Sequence, residues 1–263
     1  MRSHTRRSSS GVHLLSDNRV IARLVSTADL GPDDLVIDFG AGPGTITAPL
    51  ARTGSRVLAV ERDARFVATL RRRFADWSAV RVVQEDVRTV RLPRRAFAVV
   101  ASIPFAVSTP LLRRLLTPAA SGFSRAELVV EWGLAKRLTA LNARDLESAW
   151  WSCRFALTVR RRIPAWSFSP EPKVDAAHLG VRRRGVDRRT ATILWAVLSA
   201  AYDRPRAPAR SALTGLAPRR VTHRLLGDDP AADIHTGQWL TLARTLAADR
   251  NVVPPPLPAR KSH

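Results

Sequence analysis

The sequence predicts an α/β fold, in which a mostly parallel β-sheet with crossover helices is followed by a small helical domain. Between about residues 17 and 140, short runs rich in Val, Ile and Leu alternate with segments of helical pattern. This alternation is typical of a parallel sheet covered by helices. Beyond about residue 185 the apolar residues follow a helical period alone. The length of 263 residues fits one large domain with a small appendage.

Seven segments carry the β-type pattern, and they are residues 35–39, 56–61, 80–84, 97–101, 127–131, 154–162 and 176–183. The helical segments lie near residues 45–52, 63–75, 109–116, 187–203, 209–226 and 234–248. A proline-bearing loop joins the last two strands, so we expect the sheet to end in a hairpin. We expect a basic flexible arm over residues 1–10 and a loose proline-rich tail over residues 251–263.

The chain is strongly basic. Lys and Arg total 43 against 22 Asp and Glu, and all but three of the basic residues are Arg, whose planar guanidinium can bind one phosphate through two hydrogen bonds. Residues 1–185 carry +15 of the net charge of +21 and residues 186–263 carry +6, so the charge belongs to the folded body. This excess predicts a polyanionic partner, nucleic acid before an anionic membrane. A GC-rich genome is the alternative explanation for Arg over Lys, but it leaves the shortage of acids unexplained.

Composition excludes several other classes of protein. A single cysteine, Cys153, excludes a disulfide framework and a cysteine zinc site, and the six histidines show no ligand spacing, so we expect no metal. No apolar run approaches the roughly 18 residues of a membrane span. The basic N-terminus lacks the apolar core of a signal peptide, although its Arg and Ser content resembles a transit peptide. This N-terminus fits either an arm that contacts phosphates or a merely disordered terminus. For the protein as a whole, we expect a cytoplasmic monomer.

The first predicted strand ends in a glycine-rich turn, Asp-Phe-Gly-Ala-Gly-Pro-Gly-Thr over residues 38–45. Its glycines, Gly40, Gly42 and Gly44, would let a ligand approach the backbone closely. The dinucleotide fingerprint places glycines at the first, third and sixth positions, whereas here they occupy the first, third and fifth. The turn therefore predicts a ligand site other than a nicotinamide site, with a purely structural turn as the alternative.

Two acidic residues follow the next two predicted strands. Glu61 ends the second strand about 20 residues after the glycine turn, where a carboxylate can accept hydrogen bonds from both hydroxyls of a ribose. Asp86 follows the third strand, where its carboxylate can accept a hydrogen bond from the exocyclic amine of an adenine. Each alone could be a solvated strand-end acid, but together they predict a nucleoside pocket at one edge of the sheet.

The fourth strand ends in Ser102, Ile103, Pro104 and Phe105. These residues resemble the Asn/Asp/Ser-Pro-Pro-Tyr/Phe element of amino-group methyltransferases. A side-chain oxygen and a backbone carbonyl there can accept both hydrogens of an amine, the proline can hold that carbonyl in extended geometry, and the aromatic ring can stack on a base. An ordinary buried strand end is the alternative.

With motifs in register over four strand ends, the chain resembles the ribosomal RNA adenine N6-methyltransferases, the family of Erm and KsgA, over about residues 11–183. The resemblance implies a Rossmann-like seven-stranded class I methyltransferase sheet, an S-adenosyl-L-methionine-binding catalytic domain over residues 11–185 and a helical RNA-binding domain over residues 186–250. It implies cofactor contacts from Gly40, Ala41, Gly42, Gly44, Glu61, Asp86 and Ser102. Ser102 and the Ile103 carbonyl would take the target amine, with Pro104 holding that carbonyl and Phe105 stacking on the base.

Two flanking segments extend the resemblance. Residues 11–15, Gly-Val-His-Leu-Leu, look like the family's Gly-Gln-Asn/His-Phe-Leu segment, which implies cofactor contacts from His13 and Leu15. Residues 168–175 are similar to the family's Phe-x-Pro-x-Pro-x-Val-Asp/Asn-Ser loop, which implies that Phe168 faces the base pocket. Val12, Leu14 and Ser102 depart from the family's usual Gln, Phe and Asn; a serine hydroxyl still accepts a hydrogen bond, so we expect activity to be kept.

The resemblance leaves open which member the chain is. Residues 60–63 and 103–109 look more like Erm, which implies methylation of one 23S ribosomal RNA adenine and resistance to macrolide, lincosamide and streptogramin B antibiotics. A KsgA-type enzyme, dimethylating two adjacent 16S ribosomal RNA adenines, is the first alternative, an inactive RNA-binding relative the second, and a dehydrogenase a distant third. The RNA-binding candidates are Phe105, Phe168, Arg160, Arg161, Arg162 and Arg182.

Overall fold

A computed structural model of the chain describes residues 13–250 and 252. Its main sheet has seven strands in the order β4-β3-β2-β5-β6-β9-β7. These strands are β2 (Leu35–Phe39), β3 (Arg56–Glu61), β4 (Val80–Gln84), β5 (Phe97–Ser102), β6 (Phe123–Glu131), β7 (Phe155–Ile163) and β9 (Ala176–Arg183). The pairings among β2 to β6 are parallel, and β9 runs antiparallel to β6. The predicted α/β fold with a seven-stranded sheet is confirmed.

A second, two-stranded sheet lies outside the main one. β1 (Leu14–Leu15) pairs antiparallel with β8 (Phe168–Ser169), so that Leu15 lies opposite Phe168. The sequence analysis did not predict either strand, because two residues are too short to show a period. This pairing joins the start of the described chain to the loop between β7 and β9.

Ten α-helices complete the fold. They are α1 (Asn18–Ser26), α2 (Thr47–Ala51), α3 (Ala64–Arg73), α4 (Phe105–Leu116), α5 (Trp132–Leu138), α6 (Leu146–Arg154), α7 (Arg188–Asp203), α8 (Ala209–Ala212), α9 (Arg219–Leu226) and α10 (Thr236–Ala248) among the described residues. Four of them begin after an aspartate whose carboxylate accepts backbone N–H groups of the first turn, namely Asp17, Asp63, Asp145 and Asp187.

Several elements differ from the predicted ones. α4 begins at Phe105, four residues before the predicted helix, and β6 begins at Phe123. β6 was predicted too short because Arg125 interrupts its apolar run; in the structure this side chain donates to the backbone carbonyls of Ala28 and Asp29. The sequence analysis also assigned no helix to α5 or α6.

The described chain forms two compact units. One contains residues up to 115 together with 121–137 and 157–182, and it holds the main sheet. The other contains residues 116–120, 138–156 and those from 183 onward, and Trp150 and Trp239 are buried in it. Residues 116–120 and 138–156 belong to this second unit, although the sequence analysis placed them in the catalytic domain. The predicted boundary between a catalytic domain ending at residue 185 and an RNA-binding domain beginning at residue 186 stays a prediction. The predicted arm (1–10) and tail (251–263, Val252 apart) lie outside the described residues.

The central strands of the sheet are covered on both faces, whereas the edge strands β4 and β7 are partly exposed. Residues 97–101 of β5 are fully buried, and so are most residues of β2 and β3. Strands buried on both faces read as continuous apolar runs, which is why these three were recognisable from sequence. Within the described residues, no helix is long and apolar enough to cross a membrane.

Candidate active site

The carboxyl ends of β2 and β5 lie side by side, at the point where the strand order of the sheet reverses. Ligands of open α/β sheets bind at this position, because the loops that follow the two strands diverge and leave a crevice. A Cβ atom on Gly40 would lie 3.2 Å from Cδ of Pro104, so the two predicted loops are in direct contact. The crevice is lined by His13, Leu14, Leu15, Asp38, Gly40, Ala41, Thr45, Ile46, Ser102 and Pro104.

The glycine turn has a backbone that only glycine adopts without strain. Gly40, Gly42 and Gly44 have φ of +73°, +53° and +87°. A Cβ atom on Gly44 would also lie 2.9 Å from side-chain carbons of Leu70 and Phe74. The turn is therefore packed against α3 on one side and open to the crevice on the other.

Glu61, at the end of β3, is buried and binds the glycine turn. One carboxylate oxygen, Oε2, accepts the backbone N–H of Gly42 at 2.8 Å, and Oε1 accepts those of Arg62 and Asp63 at 2.7 and 2.8 Å. Because each carboxylate oxygen has two lone pairs, Oε2 retains capacity for a further donor such as a hydroxyl. The carboxylate that was predicted to hold a ribose thus also shapes the turn, and its role toward ribose stays a prediction.

Asp38 is a site residue that the sequence analysis missed. Its side chain is buried in β2, lines the crevice and accepts a hydrogen bond from Thr47 Oγ1 at 2.7 Å. Burial raises the pKa of Asp38 to about 7. The hydrogen bond from Thr47 opposes this rise, and repulsion from Glu61 adds to it. An acid inside an apolar strand, two residues before a glycine turn, was the available signal.

Asp86 lies after β4 at the same edge of the sheet. Its carboxylate accepts hydrogen bonds from the backbone N–H, Nε and Nη2 of Arg88, and Arg62 approaches to 3.8 Å. The hydrogen bonds from Arg88 lower the pKa of Asp86 to about 2. A ligand amine would share this carboxylate with Arg88, and the adenine contact of Asp86 stays a prediction.

The element after β5 presents two hydrogen-bond acceptors. The Ile103 backbone N–H donates to Val129 at 3.0 Å and its side chain is buried, so the position of the strand end is fixed. Within residues 13–250, no hydrogen bond engages the Ser102 hydroxyl or the Ile103 carbonyl. The Pro104 carbonyl, in contrast, already accepts the N–H of Val107 at 3.0 Å in the first turn of α4.

His13 borders the same element from the opposite side. Its ring centroid lies 6.5 Å from that of Phe105, and its Nδ1 lies 2.8 Å from the Pro170 carbonyl oxygen. Leu14 approaches the glycine turn, since a Cβ atom on Gly42 would lie 3.2 Å from Leu14 Cδ2. The first described residues, His13, Leu14 and Leu15, therefore line the crevice, and the cofactor contacts expected of His13 and Leu15 stay a prediction. Residues 11 and 12 lie outside the described residues.

Phe168 was expected to face a base pocket, and the structure shows its side chain buried in the apolar core, against which Phe105 also packs. Its side chain is only 4 % exposed and belongs to the apolar core with Leu15, Ile163 and Ala176. The antiparallel pairing of β8 with β1 turns this ring inward. Its placement is that of a packing residue.

Arg160 and Arg182 were expected to bind RNA, but both guanidinium groups contact a buried carboxylate. Glu127 on β6 is fully buried and lies 2.8 Å from Arg160 Nε, 2.7 Å from Arg182 Nη2 and 2.6 Å from His178 Nε2. Burial alone would raise the pKa of Glu127, but hydrogen bonds from His178 and Arg160 hold it below its usual value. A buried charge requires such partners, so Arg160 and Arg182 have a structural task.

The other two arginines of the predicted RNA-binding set remain accessible. Arg162 is 61 % exposed and donates from Nε to Asp175 at 2.6 Å. Arg161 points to the other side of β7, because adjacent side chains of a strand alternate, and it is exposed. Their contact with RNA stays a prediction.

Comparison with known proteins identifies the family. A family model described as Ribosomal RNA adenine dimethylase matches residues 3–248. The chain belongs to this family. The rRNA adenine N-6-methyltransferase of Bacillus licheniformis is 31% identical over 246 residues, covering 90% of this chain and 86% of the relative. Ribosomal RNA small subunit methyltransferase A of Prochlorococcus marinus is 30% identical over 282 residues, covering 96% of this chain and 98% of the relative.

A solved member of the family has the same fold. The crystal structure of the 23S rRNA methyltransferase ErmE superposes with a TM-score of 0.77 at 25% identity, covering 88% of this chain and 98% of that one. The chain is thus an rRNA adenine N6-methyltransferase with a Rossmann-like class I sheet, and its cofactor is S-adenosyl-L-methionine.

The residues at the crevice fit this cofactor. A Cβ-free turn gives the backbone close access to a ligand, and Asp38 and Glu61 supply carboxylates beside it. S-adenosyl-L-methionine carries a sulfonium cation and an amino group, so buried carboxylates complement its charge. We propose that Gly40, Ala41 and Asp38, which line the crevice, would hold its methionine part.

The raised pKa of Asp38 makes cofactor affinity depend on pH. A cationic ligand favours the carboxylate over the carboxylic acid, so affinity is expected to rise with pH through about 7. If only the carboxylate form binds, the dissociation constant falls about tenfold between pH 6 and pH 8. Calorimetric titration across this range measures the effect. Asp38→Asn can still accept the Thr47 hydrogen bond, but it should bind the cofactor weakly and with a dissociation constant that no longer changes between pH 6 and pH 8. If the pH dependence were unchanged in this variant, the titrating group would be another residue.

Proposed function

We propose that the chain methylates N6 of one adenine in 23S ribosomal RNA and thereby confers resistance to macrolide, lincosamide and streptogramin B antibiotics, acting in the cytoplasm. The observation that carries the chemistry is the pair of unengaged acceptors, Ser102 Oγ and the Ile103 carbonyl, beside the glycine turn. The likeness to the 23S rRNA methyltransferase ErmE over 88% of the chain supports the choice of RNA.

The residues of the chain promote the reaction by positioning the target amine. The lone pair of an adenine amine is delocalised into the ring, so the amine is a poor nucleophile. The Ser102 hydroxyl and the Ile103 carbonyl accept its two hydrogens and favour a pyramidal nitrogen, while Phe105 stacks on the extruded base. S-adenosyl-L-methionine, when bound, supplies an electrophilic methyl group.

The proton of the amine needs no dedicated base in this scheme. Once methylated, the nitrogen is transiently cationic and acidic, so its proton can leave to bulk solvent after the transfer is complete. Catalysis then rests on orientation and on exclusion of water from the crevice. The covering segment formed by His13, Leu14 and Leu15 provides that exclusion.

Phosphate contacts are assigned to the exposed arginines rather than to the pocket. The net charge of +21 gives affinity for RNA without sequence readout. Arg161 and Arg162, at the edge strand β7, are the accessible members of the predicted set. The neutral acceptors at Ser102 and Ile103 then select the base.

Methylation of adjacent adenines in 16S ribosomal RNA is the second candidate. The observation in its favour is the match to small-subunit methyltransferase A, which covers 96% of this chain. The two candidates share the site chemistry described above and differ in the RNA that reaches it.

Primer extension on both ribosomal RNAs, after expression in a macrolide-susceptible host, distinguishes them. We expect a stop at one adenine of the 23S RNA together with a rise in the inhibitory concentration of a macrolide. Cells with the empty vector control for endogenous modification. A stop confined to the 16S RNA would reject the 23S assignment and leave the enzyme class intact.

A further inference from the structure

An exposed tryptophan lies on the sheet-containing unit, in the segment between β7 and β8. Trp166 is 66 % exposed, more than any of the other six tryptophans, all of which are described, and Val174 nearby in the same loop is 47 % exposed. We define the Trp166 patch as Trp132, Arg162, Trp166, Val174 and Asp175. The proposed chemistry at Ser102 and Phe105 uses none of these side chains.

Asp175 binds the parts of the Trp166 patch together. Its Oδ2 accepts from Arg162 Nε at 2.6 Å, its Oδ1 accepts the backbone N–H of Ala165 at 2.9 Å, and its carbonyl accepts that of Trp132 at 3.0 Å. Residues 162–165 and the start of α5 are thus tied to one residue. Trp166, next to Ala165, is held on a fixed base although its ring faces solvent.

The chemistry of the Trp166 patch is that of a stacking surface for single-stranded nucleic acid. Such surfaces combine aromatic rings, on which bases stack, with cations that contact the backbone. Arg162 is 61 % exposed, lies over the Trp132 ring at 5.3 Å and donates from Nε to Asp175, so a phosphate would share its guanidinium with this carboxylate. The strongly basic chain favours a polyanion over a neutral partner at this surface.

The path from Trp166 to the crevice is short. Trp166 precedes Phe168 by two residues, a span of at most ~7 Å, and Phe168 pairs with Leu15, which lines the crevice. From the same loop, the Pro170 carbonyl contacts His13 at 2.8 Å, and His13 neighbours Phe105.

We propose that Trp166 stacks on an unpaired nucleotide that flanks the target adenine in the RNA. This inference rests on the proposed function for the identity of the RNA. An enzyme that extrudes a base must hold the strand on either side of it, and a rigid exposed indole supplies such a hold without reading sequence. The Trp166 patch would therefore select RNA whose flanking nucleotides are unpaired.

Affinity of the full-length protein for two RNA probes tests this proposal. One probe is a stem-loop with unpaired nucleotides on both sides of an adenine, and the other is a fully paired duplex of equal length. We expect Trp166→Ala and Trp166→Leu to weaken binding of the stem-loop by about five- to a hundredfold and to leave the duplex unchanged. Trp166→Phe, which keeps an aromatic face, should retain most of the affinity.

Trp77→Ala is the matched control, because Trp77 is the other exposed tryptophan and packs on Phe74 away from the Trp166 patch. It should leave both affinities within about twofold. Stem-loop affinity unchanged in Trp166→Leu would overturn the proposal and assign the Trp166 patch to a protein contact; an equal loss on both probes would also overturn it. A wild type that shows the expected binding but methylates neither ribosomal RNA would reject the proposed function alone.

Discussion

Phe105→Ala is expected to lower kcat/KM for ribosomal RNA by about 10- to 100-fold, because base–aromatic stacking contributes about 1–3 kcal/mol per base. Phe105 is the first residue of α4, is half-buried, and its ring centroid lies 6.5 Å from that of His13. Its ring contacts the substrate base and not the cofactor in our account. Affinity for S-adenosyl-L-methionine should therefore stay within about twofold, measured by calorimetry.

Phe105→Tyr is the matched control for this effect. It keeps the aromatic face and should retain activity within a few-fold. A thermal unfolding curve for each variant separates loss of stacking from loss of structure, since Phe105 also packs against the core. If Phe105→Ala were folded and as fast as the wild type, the aromatic ring would have no part in holding the base.

Arg154→Met is expected to lower the free energy of unfolding by about 3 kcal/mol or more, because a buried acceptor left without its donor costs about 1–3 kcal/mol and Arg154 serves several of them. Arg154 is 3 % exposed, and its guanidinium donates to four backbone carbonyls at the end of α4 and just after it. The acceptors are Leu116 at 2.8 Å, Thr117 at 3.3 Å, Pro118 at 2.9 Å and Ala119 at 3.0 Å. Removing the guanidinium leaves these carbonyls without their donor.

The charge of Arg154 is stabilised by dipoles and by an aromatic ring. Burial lowers the pKa of Arg154 to about 10, with repulsion from Arg183 adding to the fall, so the guanidinium stays protonated at neutral pH. It lies 4.5 Å from the centre of the Trp150 ring and meets the negative end of a helix. Arg154→Lys keeps the charge but cannot reach four carbonyls, so we expect a smaller loss. Urea denaturation measures both variants, and a loss below about 1 kcal/mol for Arg154→Met would contradict this role.

The parts of the site that could be predicted from sequence are contiguous in the chain. The glycine turn and the Ser102–Phe105 element are each a run of neighbours at a strand end. Parallel strands bring their carboxyl ends to one edge, so the two runs meet without any further information. Their contact between Gly40 and Pro104 is what this rule predicts.

The misplaced residues depend on pairing across the sheet, which no local pattern shows. Arg160 reaches Glu127 because Gly180 lies between them without a side chain; a Cβ there would approach Arg160 Nε to 2.7 Å. Arg182 reaches the same carboxylate from β9. The arginine runs 160–162 and 182–184 therefore resembled phosphate-binding surfaces in the sequence, although one arginine of each run is paired with the buried carboxylate of Glu127.

The positions of Phe168 and Asp38 also depend on the fold in ways that a local sequence pattern does not show. The ring of Phe168 is turned into the core by a two-residue strand pair that has no sequence period. Asp38 lies within an apolar strand, where an acid is costly unless a ligand or a donor compensates it. The sequence therefore signals an unusual acid, and the fold adds that Asp38 lines the crevice.

Nucleoside mass spectrometry of ribosomal RNA methylated by the purified chain tests the central claim most directly. The claim is that the acceptors at Ser102 and Ile103 present the amine of an extruded adenine for transfer. We predict N6-methylated adenosine, as one or two methyl groups, in a single fragment of 23S RNA, dependent on S-adenosyl-L-methionine. A methyl group on a ring nitrogen, on the ribose or on another base would contradict the account.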